Sequence, residues 1–173
     1  MNFTKLKEST LRKKTNKLTL RLDESRMISQ KEIQSVGIVT LDQISSKIDI
    51  QSQVESVLGL RNTKMYSFKK FNKLDQASYK HFTEKDVNWK GHFTQQNFVS
   101  FLEQPFDLLI GYFNEKNLYL ELAVFHSKAT FKVGFSNVNS NLYDIEFVEQ
   151  IEHIEAYILE LKKYLQILKK LKN

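Results

Sequence analysis

Ser35-Val36-Gly37-Ile38-Val39-Thr40-Leu41 is a β-branched, mostly apolar run with no alternation of polar and apolar positions. A strand that is apolar at every position is buried on both faces, and such strands belong to parallel sheets covered by helices on either side. Phe106-Asp107-Leu108-Leu109-Ile110-Gly111-Tyr112 repeats the pattern with one acid near its start. Between and after these runs the period changes. Residues 47–59 place Val54, Val57 and Leu58 on one helical face and end on Gly59, a helix C-cap signal. Residues 63–69 alternate and read as a second strand nearer an edge. A short helix at 94–103, a helix at 118–127, a strand at 130–135 and a short strand at 143–148 follow. Strands alternating with helices predict an α/β three-layer sandwich with a mainly parallel sheet, flavodoxin-like or half-Rossmann.

The two ends of the chain are helical. Phe3, Leu6, Leu11 and Leu18 keep a loose helical period over residues 3–20, although Leu18 to Leu22 also alternates like a strand. Residues 1–34 are expected to form a basic N-terminal helical extension, and residues 35–173 a single α/β domain; no Gly/Ser/Pro-rich linker divides them. At the other end, residues 150–171 are predicted to form one long helix. Ile151, Ile154, Ile158, Leu161, Leu165 and Leu168 follow the seam spacing of a coiled coil, whereas Tyr157, Tyr164, Ile167 and Leu171 widen the apolar face as packing on a sheet requires. A homodimer through helix 150–171 is one reading of that seam.

Composition narrows the function classes. The chain has 173 residues, no cysteine and a formal net charge of +6. The missing cysteine removes disulfides, thiolate catalysis and cysteine metal sites. The N-terminus goes directly into charged residues, and no stretch approaches the roughly 20 apolar residues of a membrane span, so a cytoplasmic protein with no membrane span is expected. Charge is arranged in blocks: residues 1–34 hold nine Lys/Arg against four Asp/Glu, residues 93–160 hold three against ten, and residues 161–173 hold five Lys and no acid. Basic blocks steer polyanions.

No motif of known chemistry is present. The turn after Leu41 reads Asp42-Gln43-Ile44-Ser45-Ser46, without the glycines that let a backbone close round a pyrophosphate, so no nucleotide cofactor is implied. The four histidines show no ligand spacing, so neither a metal nor a catalytic residue is assigned, although His81 and His92 are near enough in sequence to meet. Asp107 is read as a cap or salt bridge at the lower rim, since ligands of open α/β sheets bind beyond the carboxyl ends of the strands. There, Asp42, Ser136 and Asn137 are the candidate pocket residues. Rings and lysines interleave from Tyr66 to Phe93, a pattern that serves either to stack unpaired bases or to pack a loop on the sheet.

Asn88-Trp89-Lys90-Gly91, Pro105 to Ile110, Ser127-Lys128-Ala129 and Phe131-Lys132-Val133-Gly134-Phe135 resemble a family of small Bacteroidota proteins that carry a domain of unknown function. The resemblance implies a bacterial, cytoplasmic origin and transfers no catalytic residue. Locally, Phe106 to Phe135 looks like the strand–helix–strand of the N-terminal half of heptosyltransferase-type glycosyltransferases, which implies a small-molecule-binding or degenerate enzyme domain of half-Rossmann type. The leading expectation is a non-catalytic binding protein whose basic arm docks on RNA or the ribosome through Lys5, Arg12, Lys13, Lys14, Lys17 and Arg21.

Overall fold

The structure, a computed structural model, describes residues 2–22, 29–76 and 78–172. Of the expected N-terminal extension, residues 1 and 23–28 lie outside the described residues. The elements are α1 (Phe3–Thr19), β1 (Val36–Leu41), α2 (Asp42–Ser45), α3 (Ile50–Leu58), β2 (Thr63–Phe68), β3 (His81–Phe82), α4 (Gln96–Glu103), β4 (Leu108–Tyr112), α5 (Leu118–His126), β5 (Lys132–Phe135), β6 (Ile145–Phe147) and α6 (Ile154–Ile167). All six strands pair in parallel, in the order β3-β2-β1-β4-β5-β6. This is the doubly wound Rossmann order. The winding is complete, six strands rather than a half, because the two-residue β3 and the three-residue β6 extend the sheet at either edge.

Register fixes the layers. Val39 lies beside Tyr66 and Gly111, whereas Thr40 lies beside Ser67 and Tyr112, so Tyr66 and Tyr112 point to opposite faces. Tyr66 packs on Phe98 and Phe101 of α4. Tyr112 packs on Tyr157 of α6. One face is therefore covered by α4 with α5 and α1, and the other by α6 with α3. The rings between Tyr66 and Phe93 mostly serve this packing: Phe68 stacks on Tyr119, and Phe82 stacks on Phe98 while meeting Phe93 edge-on. Tyr79 and Trp89 of the same stretch are exposed.

Local signals set most helix ends. Asp49 accepts a hydrogen bond from the Ser52 N–H at the start of α3, and Gly59 ends it with φ 68°. Asn117 accepts from the N–H groups of Tyr119 and Leu120 at the start of α5. The last helix is shorter than the expected 150–171. Residues 150–153 form a turn in which the His153 N–H reaches the Gln150 carbonyl, and Lys169, at φ 56°, follows the C-terminal end. The residues at coiled-coil spacing, Ile154, Ile158, Leu161 and Leu165, are buried within the chain itself. The alternating Leu18 to Leu22 is not a strand: α1 runs to Thr19 and Leu20 caps it. Among the described residues, no helix is long and apolar enough to cross a membrane.

Two tertiary features hold the sheet. On the α5 face, Gly111 and Gly134 lie side by side in β4 and β5, and the ring of Tyr143 occupies the space their side chains would fill. A Cβ on Gly134 would stand 2.1 Å from that ring. At the lower rim, Asp107 is 3% exposed. It pairs with Lys31 at 2.8 Å and accepts from the Gln34 N–H, the Ser35 N–H and the Ser35 hydroxyl, each at 3.0 Å. Burial by itself would raise its pKa, but the hydrogen bonds from Lys31, Gln34 and Ser35, with the Lys31 charge, outweigh burial and hold it below the ordinary carboxylate value.

Gly134→Ala is expected to destabilise the fold by about 1–3 kcal/mol through overpacking against Tyr143. A thermal melt reads this as a fall of several degrees, and an unchanged midpoint would contradict the packing. Asp107→Asn is expected to lower the midpoint at neutral pH and to flatten its dependence on acid. Because the folded pKa is depressed, the stabilisation is whole above the unfolded value, near 4, and is lost as pH falls through the lower folded value. Melts from pH 7 to pH 2 that show the same acid loss in both proteins would contradict this role.

Candidate functional site at the carboxyl edge of the sheet

The winding reverses between β1 and β4, and the chains leaving these two strands part in opposite directions. Such a reversal opens a crevice beyond the carboxyl ends. After Leu41 the chain enters α2 at once, with Asp42 as its first residue. After Tyr112 it continues through residues 113–117 to α5. A cavity of 630 Å³ lies between them, lined by Asp42, Gln43, Lys69, Lys70, Asp75 and Lys116 among others. The Thr40 hydroxyl donates to the Tyr112 carbonyl at 2.6 Å and ties the two strand ends together. Lys69 and Asp75 pair at 3.0 Å, and hydrogen bonding to Asp75 raises the Lys69 pKa.

Asp42 also orients a histidine. Its carboxylate lies 2.8 Å from His81 Nε2, and His81 Nδ1 lies 2.7 Å from the Ser78 hydroxyl oxygen. A carboxylate only accepts, so Nε2 carries the proton, and in the neutral ring Nδ1 accepts from the Ser78 hydroxyl. The three groups form a relay able to polarise a hydroxyl, with the ring turned opposite to that of the Ser-His-Asp hydrolase triad. Ser78 additionally accepts from the Lys80 N–H at 3.2 Å, which anchors it in its own turn.

A second cavity, of 640 Å³, lies between α1 and the segment that follows β5. Arg12, Asn16, Lys116, Glu121, Ser136 and Asn137 contribute to its wall, and Lys116 borders both cavities. Glu121 sits in the first turn of α5 and is 3% exposed. Its Oε2 accepts from the Asn139 amide at 3.4 Å, while its Oε1 is buried with no hydrogen-bond partner among the described residues. Burial raises its pKa, against the opposing influence of Asn139, Arg12 and Lys116. The Asn137 amide donates to the Asn114 carbonyl, and Asn139 accepts from the Asn141 N–H at 3.2 Å, so the wall is held by its own side chains.

The candidate residues read from sequence reach this edge in two groups. Asp42 lines the crevice at the reversal, whereas Ser136 and Asn137 line the second cavity. Lys5, Arg12, Lys13, Lys14, Lys17 and Arg21 are all exposed on and just after α1. They do not stand on a projecting arm. Leu11, Thr15 and Thr19 are buried under the helix. Lys14 Nζ donates to the Lys90 carbonyl at 2.7 Å and Lys7 Nζ to the Glu84 carbonyl at 3.0 Å, while Glu8 accepts from the Tyr119 hydroxyl at 3.0 Å. His92 meets His126 at a ring separation of 5.8 Å rather than His81. Among the described residues, no group of three or more His, Asp or Glu is placed to hold a metal ion.

Sequence reasoning missed His81, Lys116 and Glu121. For Glu121 a signal existed, since it is the one formal charge in the apolar run Leu118 to Phe125. For His81 none existed, because its partner Asp42 is 39 residues away. Comparison with curated proteins and with solved structures finds no match. Residues 7–168 match the model of a family described as "Family of unknown function (DUF6913)", and the chain belongs to that family.

Proposed function

We propose that the protein is a non-catalytic binding domain that takes a small polar molecule at the carboxyl edge of its sheet. The observation that carries this reading is the pair of adjoining cavities there, joined at Lys116 and walled by hydroxyl, amide and charged groups. Their sizes fall within the range of about 300–1,000 Å³ that suits small ligands. Their position at and beside the winding reversal is where doubly wound sheets bind ligands. The relay at Asp42 contributes polar contacts to the same edge. The lack of cysteine and the resemblance of this chain's sequence to small Bacteroidota proteins favour the cytoplasm of a bacterium as the setting.

A second reading keeps RNA or the ribosome as partner. It is supported by the net charge of +6 and by the exposure of Lys5, Lys13, Lys17 and Arg21. Against it, the helix that carries these residues is committed to packing on α5. A homodimer through α6 would have to use Leu159, Tyr164, Ile167 and Leu168, which remain exposed, because the seam residues Ile154, Ile158, Leu161 and Leu165 are buried inside.

One experiment separates these readings. The wild-type protein and Lys116→Ala are melted with sugar phosphates, nucleotides, amino acids and dicarboxylates, and both are titrated with RNA in filter binding at low salt. The expected outcome is a raised midpoint for at least one compound class in the wild type, lost in Lys116→Ala; a ligand at a hundred times its Kd adds about 2.7 kcal/mol. If no compound stabilises the protein, and RNA is retained with a steep salt dependence that Lys13→Glu and Lys17→Glu abolish, the function lies on α1 instead.

A further inference from the structure

We propose that Ser78 is a nucleophile that takes up an acyl group from an anionic activated donor, an acyl phosphate by class, with His81 as its base and Asp42 as the residue that positions His81. One group is taken up per chain and no turnover is invoked, so a modification site is added to the binding reading above, beside the same edge of the sheet. The relay carries it. Asp42 Oδ1 lies 2.8 Å from His81 Nε2, and His81 Nδ1 lies 2.7 Å from Ser78 Oγ. A serine hydroxyl is a weak nucleophile until an adjacent base takes its proton, and the base serves when a third group orients its ring. All three parts stand here within hydrogen-bond distance.

The sheet holds them in place. Asp42 follows β1 directly, and His81 opens β3. The Lys80 carbonyl accepts from the Ser67 N–H at 2.9 Å, and the His81 carbonyl accepts from the Gln95 side-chain amide at 3.1 Å. Ser78 Oγ accepts from the Lys80 N–H at 3.2 Å while its own proton goes to His81. A hydroxyl oxygen has two lone pairs, so one stays open for attack. The Lys80 N–H also favours that oxygen as negative charge grows on it. Stability alone is a poor account of the arrangement. The Asp42 and His81 side chains are 31% and 29% exposed, and pairs open to water contribute about 1 kcal/mol or less.

The surroundings name the donor. Ser78 and His81 line a cavity of 380 Å³ together with Lys69, Lys70 and Lys85. Its acids are engaged: Asp75 pairs with Lys69 at 3.0 Å, and Asp86 accepts from the Thr83 N–H at 2.7 Å. Lys70 and Lys85 leave surplus positive charge, which favours an anionic leaving group. In the step, Ser78 Oγ attacks the carbonyl carbon of the acyl phosphate and forms an ester. The bond from that carbon to the bridging phosphate oxygen breaks, and phosphate leaves with the electron pair. The serine proton moves to His81 Nδ1, where Asp42 faces the resulting imidazolium, and then passes to the departing phosphate.

The test is incubation of the full chain with acetyl phosphate, followed by digestion and mass spectrometry to locate acetylserine. Ser78 is expected to be acetylated at least about a hundredfold faster than Ser46 and Ser52, which are both exposed. Ser78→Ala removes that signal. His81→Gln slows acetylation of Ser78 by about a hundredfold or more, and Asp42→Asn by about tenfold or more. Asp42→Glu, which restores the carboxylate, keeps more of the rate than Asp42→Asn. Thermal melts accompany each variant, and if His81→Gln melts below the assay temperature the two Asp42 variants decide. Acetylation of Ser78 no faster than that of Ser46, an unchanged rate in folded His81→Gln, equal rates in the two Asp42 variants, or a phosphoryl group in place of acetyl on Ser78 each overturns the assignment. The binding reading falls separately, if none of the unreactive compounds above raises the melting midpoint.

Discussion

β1 is hydrogen-bonded along its length to β2 on one side and to β4 on the other, always in parallel. Parallel neighbours cannot be joined by a tight turn, so each successive strand has to be reached through a crossover that runs over a face of the sheet. The crossovers place α3 on one face and α4 and α5 on the other, and the terminal helices add to these layers, α6 beside α3 and α1 beside α5. Because crossovers are right-handed, helices on both faces require the winding to change direction, which it does between β1 and β4. The crevice at Asp42 is a consequence of that change, as is the placement of the residue 136–141 segment beside the N-terminus of α5. Covering both faces makes the strands apolar throughout: β4 is buried at all five positions and β1 at its first five.

This explains why the sheet's centre was legible in the sequence and its edges were not. Val36 to Leu41 and Leu108 to Tyr112 carry no polar side that would disguise them, so their environment is written into their composition. His81 and Phe82 form a strand only because the end of β2 offers free backbone groups to them, and nothing in Lys80-His81-Phe82-Thr83 marks that contact. The helical ends follow the same logic. Gly59 and Asn117 cap by local chemistry and were foreseeable from their residue type. The start of α6 depends on where β6 delivers the chain, and the apolar spacing from Ile151 onward continues through a turn that periodicity does not register.

The candidate site was legible in part for a related reason. The rule that ligands bind beyond the carboxyl ends pointed to Asp42, Ser136 and Asn137, and the structure lines two separate cavities with them, Asp42 in one and Ser136 and Asn137 in the other. Lys116 borders both cavities and α1 walls the second, an arrangement that only tertiary packing produces. The basic helix is a related case. Its charge suggested a projecting arm, yet Leu11 at 1% exposure and the lysines bonded to the Lys90 and Glu84 carbonyls fix it on the body of the protein. Arg12 thereby becomes a wall of the second cavity. A conflict between local and tertiary preference is most pronounced at Glu121, a carboxyl in the middle of an apolar helix, and such conflicts concentrate at functional sites.

The central claim is that the carboxyl edge, and not the outer surface of α1, is where the protein meets its ligand. Backbone amide chemical shifts of the full chain, recorded during titration with sugar phosphates, nucleotides, amino acids and dicarboxylates in turn, test it most directly. The account predicts that the perturbed amides fall on residues 114–121 and 136–141, with those of α1 around Arg12 and Asn16, which adjoin the cavity. Shifts confined to the outward Lys13 and Lys17, or to the opposite edge around Ile33 and Lys170, would contradict it.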